Sequence, residues 1–282
     1  MAQKQSPRPL EEPKPTGDAR LDALARVLAI VDRLRAPEDG CPWDREQTVA
    51  SLAPSLIEEA HEAVEAIDKK DDRETAAELG DLFMVIALIA KIAEQDGGRF
   101  DITRVAGTVA EKLVRRHQHV FGEVVANSST QVLANWEKIK EAERRGEEKD
   151  ASALAGVPLA LPALQRAARV SAKAIAAGFK WDDAAGALAK VREEVGELER
   201  AFGERERAPE HVVAELGDVL LATAFLGQYL GLDPEKATRD ALRRFETRFR
   251  RMETEVGPRL RSAPLDELMA AWGRAKVAEA RA

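Results

Sequence analysis

Apolar residues in the first part of the chain return at helical spacing. Leu21, Leu24, Val27, Leu28 and Val31 share one face of a helix that Asp18 can cap and that ends before Pro37. A turn, Gly40-Cys41-Pro42-Trp43-Asp44, follows, and residues 48–56 lead into an acidic helix carrying Glu58-Glu59-Ala60-His61-Glu62. The charged stretch 68–73 reads as the turn into a second helix, which carries Glu78-Leu79-Gly80-Asp81 and then the apolar run Leu82-Phe83-Met84-Val85-Ile86-Ala87-Leu88-Ile89. The pattern predicts a further helix over 102–119 with Lys112, Arg115 and Arg116 on its later turns. After Phe121-Gly122 and the polar Asn127-Ser128-Ser129-Thr130 comes one more, bearing Trp136 and Lys140. Ahead of all this, residues 1–17 hold Pro7, Pro9, Pro13 and Pro15 among charges, a composition that buries too little to offset ordering, so a disordered tail is expected.

Between 141 and 162 a charge run gives way to Ala, Gly and Pro, the signature of a linker. Beyond it the pattern repeats. Gly178-Phe179-Lys180-Trp181-Asp182 echoes the first turn, Glu193-Glu194-Val195-Gly196-Glu197 the first acidic helix, and Glu215-Leu216-Gly217-Asp218 the second. Arg244-Phe245-Glu246-Thr247-Arg248 stands where 112–116 stood, and Trp272-Gly273-Arg274-Ala275-Lys276 where 136–140 stood. The same features in the same order at nearly constant offset imply a duplicated module, with domains expected at 18–140 and 163–282.

The acids set the chemistry. Positions three and four apart share a helix face, so the spacings in 58–62 and 78–81 can bring carboxylates of two neighbouring helices together. Such a cluster, next to an apolar run, repels itself unless a cation neutralises it or some members take up protons. One Glu-Glu-x-x-Glu is commonly a solvated helix face, but solvated faces need not repeat the same spacing twice. Oxygen donors without cysteine favour Mg²⁺, with Mn²⁺ as a substitute, over zinc. Glu58-x-x-His61 could be half of a di-iron site, yet the second copy has Gly196 where His61 stands and neither later acidic segment, 78–81 or 215–218, supplies a His. Lys112 and Arg116, one turn apart, can reach one anionic ligand together, and Trp136 with Lys140 can offer it a wall and a cation; ordinary packing or ion pairing is the alternative for each. Lys190, one turn before Glu194, is a further phosphate candidate in the second copy alone, since Ser55 takes its place in the first.

Composition narrows the fold and the partners. Aromatic residues make up only 5% of 282 residues while 45% are hydrophobic, which favours packed helices with almost no strand. A net charge of −7 argues against a broad nucleic-acid or anionic-membrane surface while permitting a local basic pocket. Cys41 is alone, so no internal disulfide framework exists and a cytoplasmic protein is expected. No uninterrupted apolar stretch reaches the roughly 20 residues of a membrane span. The apolar segments 82–92 and 219–226 need another face to bury, from which a homodimer is expected.

Together, Gly40-Cys41-Pro42-Trp43-Asp44, the Glu-Glu-x-x-Glu and Glu-x-x-Asp pairs in both halves, and Lys112-Leu113-Val114-Arg115-Arg116-His117 leading to Val120-Phe121-Gly122 resemble the MazG nucleoside triphosphate pyrophosphohydrolases, from about Leu21 to Lys276. The resemblance implies an all-α fold of two homologous domains, of four-helix-bundle type completed by dimerisation, with Mg²⁺ on the acids and hydrolysis of nucleoside triphosphates to monophosphate and pyrophosphate. It implies metal ligands among Glu58, Glu59, Glu62, Glu78 and Asp81, and among Glu193, Glu194, Glu197, Glu215 and Asp218, with Glu59 and Glu194 as general bases. Nucleotide contacts would come from Lys112, Arg116, Trp136 and Lys140, and from Lys190, Arg244, Arg248, Trp272 and Lys276. Arg244 departs from the Lys usual at its place, and Lys180 from an acid. Two rival functions share these features: a nucleotide-binding sensor without turnover, and a helical dimeric interaction protein.

Overall fold

The computed structural model describes residues 10–122, 124, 127–128, 131–132, 135–136, 139, 143, 152–204 and 208–280. Residues 1–9 of the expected tail, Lys140, and most of the first half of the expected linker lie outside that set. Every regular element among the described residues is a helix, as the composition predicts. The chain divides into two units, Met1–Glu141 and Ala142–Ala282.

In the first unit α1 (Ala19–Leu34) begins at Asp18, whose carboxylate accepts from the Arg20 amide. The short α2 (Pro42–Glu46) holds the Cys-Pro-Trp-Asp turn, and Arg35 fastens it by donating to the carbonyls of Asp44 and Gln47 and to Gln95 Oε1. Gly40 is required here, because a Cβ would run into the backbone oxygens of Leu34 and Ala36. Thr48 and Ser51 bond to each other's amides and set up the start of α3 (Ala53–Lys69). The turn predicted over 68–73 is far tighter. Lys70 takes a left-handed conformation, Asp71 caps the next helix through the amides of Arg73 and Glu74, and α4 (Asp72–Gln95) is already under way at the next residue. Helices α3 and α4 therefore form a close antiparallel hairpin. Val31, Leu52, Ala87, Leu88 and Ile92 make the core between α1 and α4. Much of the apolar face of α4 is thus covered within its own unit.

The helix predicted over 102–119 is broken. Helix α5 (Ile102–Arg116) stops at His117, whose amide and ring Nδ1 both bond the Leu113 carbonyl, while Gln118 donates to the carbonyls of Val114 and Arg115. Side chains that satisfy the last carbonyls end the helix. The short α6 (Gln118–Phe121) follows. No residue of α5 is buried, and Val105, Val109 and Leu113 form an exposed apolar stripe at i, i+4, i+8.

The second unit repeats the hairpin. Helix α7 (Ala163–Ala176) precedes α8 (Ala184–Gly203) and α9 (Pro209–Leu230), which pack along each other with α7 across α9. Then α10 (Pro234–Val256), capped by Asp233, pairs with α11 (Leu265–Ala280) through Met252, Val256 and Ala271. The Gly-Phe-Lys-Trp-Asp turn is fastened by Tyr229, whose hydroxyl accepts from the Trp181 amide at 2.7 Å and donates to the Trp181 carbonyl at 2.9 Å. By length and composition alone, α9 is apolar enough to cross a bilayer, which the sequence reading did not expect. Its exposed stripe of Val213, Leu216 and Leu220 contributes to that, while Glu215 and Asp218 stand on the opposite face.

Candidate active site

In each unit the acidic hairpin brings three carboxylates into one place. Glu59 on α3 meets Glu78 and Asp81 on α4, and Glu194 on α8 meets Glu215 and Asp218 on α9; within each triplet one oxygen from every side chain lies within 4.8 Å of the others. Helix geometry selects these three. Glu78 and Asp81 are three apart and share a face, whereas adjacent Glu58 and Glu59 diverge by about 100°, so only one of them can meet the partner helix.

Of the other acids singled out in the sequence, Glu62 hydrogen-bonds Glu78 at the edge of the first triplet, and Glu58 acts on it only by its charge. In the second unit Glu193 and Glu197 turn to cations on their own helix: Glu193 takes Lys190 at 2.7 Å and Glu197 takes Arg200 at 3.1 Å. His61 is exposed and outside both triplets, in keeping with a surface histidine.

Electrostatics separates the two nests. In the first, partial burial and then the charges of Glu62, Asp81, Glu78 and Glu58 hold the Glu59 carboxyl above its ordinary range. Glu78 is likewise raised, by partial burial, by Glu62, Asp81 and Glu74, and by its hydrogen bond with Glu62. The second nest carries a built-in cation. Lys190 Nζ sits 2.8 Å from Glu194 Oε1, and these hydrogen bonds to Glu193 and Glu194 raise the lysine well above its usual value. Glu194 is only 7% exposed, so the charge Lys190 faces is a buried one. His211, missed in the sequence, stands with Nε2 3.5 Å from Glu215 Oε1, one turn ahead of it on α9. At the matching place in the first unit is Glu74, so a comparison of the two copies four residues before Glu78 and Glu215 would have found it.

The donor set fits a hard divalent cation: carboxylate oxygens only, converging from two helices, with neither Cys nor His in either triplet. The remaining predicted residues stand differently. Lys112 and Arg116 are half-buried on α5, one turn apart. Trp136 packs edge-on against His117, ring centroids 5.3 Å apart, and its Nε1 is buried without a hydrogen-bond partner. Arg244 and Lys276 are exposed on α10 and α11. Arg248 donates to Glu279 at 2.5 Å, and Trp272 packs against Phe245 at 5.0 Å. Those contacts of Arg248 and Trp272 join α10 to α11 rather than to the acids; of the predicted cations, Lys190 is the one seen directly on a triplet among the described residues.

Comparison with known proteins gives the same register. The MazG nucleotide pyrophosphohydrolase domain matches residues 47–121 and again 184–252, each span holding one triplet. The chain is 37% identical over 262 residues to the nucleoside triphosphate pyrophosphohydrolase of Escherichia coli K12, covering 92% of this chain and 99% of that one. It is 40% identical over 253 residues to the nucleoside triphosphate pyrophosphohydrolase/pyrophosphatase MazG of Thermotoga maritima, covering 89% and 94%. To the uncharacterized protein YabN of Bacillus subtilis it is 40% identical over 258 residues, 90% of this chain but 51% of the longer protein. With the domain found twice and relatives matched along nearly their whole length, the chain belongs to the MazG nucleotide pyrophosphohydrolase family, in a form that carries the domain in tandem.

Proposed function

We propose that the protein hydrolyses nucleoside triphosphates to the monophosphate and pyrophosphate, using Mg²⁺ held by its carboxylate nests. One observation carries the reading: three carboxylates converge at the same register in both halves, a costly arrangement of like charge that a divalent cation relieves. The names of the relatives supply the substrate class. On this reading the ligands are Glu59, Glu78 and Asp81 in one half and Glu194, Glu215 and Asp218 in the other, with Glu62 and Glu197 alongside. The bound ion supplies charge neutralisation at the α-phosphate and a more acidic water. Glu194, largely withdrawn from solvent, takes the water's proton, and Glu59 has that role in the first half. Lys190, one turn from Glu194, moves onto the phosphates when they arrive and balances the leaving pyrophosphate. Arg244, Arg248 and Lys276, with Lys112, Arg116 and Lys140 of the first half, bring further positive charge to the nucleotide, and Trp272 and Trp136 bound its base.

The working unit of this reading is a homodimer. In it a second copy covers the stripes Val105, Val109, Leu113 and Val213, Leu216, Leu220, whose exposure in a single chain is unfavourable. The domains run over 18–140 and 163–282, joined by a 141–162 linker and preceded by the 1–17 tail. The test is product analysis. Full-length protein with each NTP and Mg²⁺ releases monophosphate and pyrophosphate, and neutralising both nests, in Glu59→Gln with Glu194→Gln or Asp81→Asn with Asp218→Asn, abolishes that release. Wild-type turnover in either double variant, or diphosphate plus phosphate as products, overturns the reading. Nucleotide binding without turnover favours a sensor, and neither binding nor turnover an interaction protein.

A further inference from the structure

The two nests share their acids but not their neighbours. The second has an ammonium seated on it: Lys190 Nζ lies 2.7 Å from Glu193 and 2.8 Å from Glu194, and Glu194 belongs to the triplet with Glu215 and Asp218. In the first, the same helical position is Ser55, which carries no charge, and the triplet is ringed by Glu58, Glu62 and Glu74 instead. A divalent cation approaching the second nest meets a tethered positive charge in contact with one of the carboxylates it would need. An approach to the first meets no cation on the triplet itself: Lys69 lies further out, on Glu74 at 3.1 Å.

We propose that Lys190 is the resting counterion of the second nest, so that this half takes up a divalent cation only together with a nucleotide's phosphates, whereas the first half takes it up alone. The proposal rests on the hydrolytic reading above and concerns its order of events. A triphosphate offers Lys190 a better partner than a shared carboxylate, because it brings about four negative charges. As Nζ swings from Glu193 and Glu194 to the phosphate oxygens, it frees Glu194 for the metal. Nucleotide and cation then bind the second half cooperatively through one side chain, with each strengthening the other by the same factor. Lys190 is a positioning residue in this step as well as a phosphate contact. The tether also keeps the half without nucleotide from holding a metal-activated water over an empty site.

The test uses the full chain and Mn²⁺ as a paramagnetic probe, with bound metal read by electron paramagnetic resonance. Without nucleotide the wild type binds one Mn²⁺ per chain tightly, and Glu78→Gln removes it while Asp218→Asn does not. Adding an α,β-methylene triphosphate brings in a second, which Asp218→Asn abolishes. Lys190→Gln admits the second ion without nucleotide, its affinity rising roughly tenfold, as expected for removing a unit charge in direct contact with the site. Lys190→Met, which keeps the stem and loses the charge, does the same. The reciprocal variant Ser55→Lys weakens nucleotide-free uptake at the first nest by a similar factor. Two equivalent Mn²⁺ sites in the nucleotide-free wild type, or unchanged uptake in Lys190→Gln and Ser55→Lys, overturn the proposal and leave the hydrolytic reading standing. No Mn²⁺ at either nest with or without nucleotide overturns both.

Discussion

The two halves of the chain fold the same acidic hairpin and then diverge in what surrounds it. In the first, Glu58, Glu62 and Glu74, the last paired with Lys69, surround the triplet, and partial burial followed by like charge raises Glu59 and Glu78. In the second, Lys190 sits on Glu193 and Glu194, and His211 beside Glu215. The fastening of the turn diverges in the same way. Arg35 holds the first through backbone carbonyls and leaves Trp43 59% exposed; Tyr229 holds the second and draws Trp181 into a cluster with Phe179 and Phe225. Duplication has kept the carboxylates that converge and released the residues around them. A metal site constrains its donors tightly, while charge balance and turn anchoring have several solutions.

That comparison can be attacked at several points. The largest expected effect is on turnover: Glu59→Gln and Glu194→Gln combined should lower the rate of pyrophosphate release by about a hundredfold or more, the scale of losing a positioned base, with helix content by circular dichroism unchanged. Next is the first core, where Leu88 is 2% exposed between α1 and α4. Leu88→Ala should cost about 3 kcal/mol in urea unfolding of the first half. The two turn anchors come after that. Tyr229→Phe removes a hydroxyl that both donates and accepts, and should cost the second half about 1 kcal/mol. Arg35→Met should cost the first half more, because it leaves the Asp44 and Gln47 carbonyls and Gln95 without their donor. Equal losses would mean that the anchors are interchangeable after all.

The smallest effect is in the pH dependence of the metal-free protein. Glu78 has a raised pKa in the folded state, so the folded protein binds its proton more tightly than the unfolded chain does. The cost of ionising Glu78, from partial burial first and from its acidic neighbours next, is therefore absent below the ordinary carboxylate pKa and appears as pH rises through the raised one. Glu78→Gln should raise Tm slightly near neutral pH, and the gain should fade as pH drops toward the ordinary carboxylate range. A gain that grows on acidification would mean that the first nest is not under like-charge strain.

Much of this was legible in the residues themselves. The helical period located α1, the acidic hairpins and the repeat, because side chains that must face a core recur every three or four positions. The acids that converge could be narrowed by geometry to those spaced along one face. What sequence did not show depends on single side chains acting across a turn. His117 ends α5 by bonding Leu113, although the apolar period runs on, and Lys70 compresses the predicted 68–73 turn by adopting a left-handed backbone. Tyr229 is separated by 48 residues from the backbone it fastens. Trp272 lies against Phe245 across α10 and α11, a contact between two helices that helical period alone does not show.

The central claim is that the nests serve attack of water at the α-phosphorus of a nucleoside triphosphate. Turnover in ¹⁸O-water with Mg²⁺, read by mass spectrometry of both products, tests it most directly. The account predicts a single ¹⁸O in the nucleoside monophosphate and none in the pyrophosphate. Label in the pyrophosphate, or release of labelled orthophosphate with a diphosphate, would contradict it.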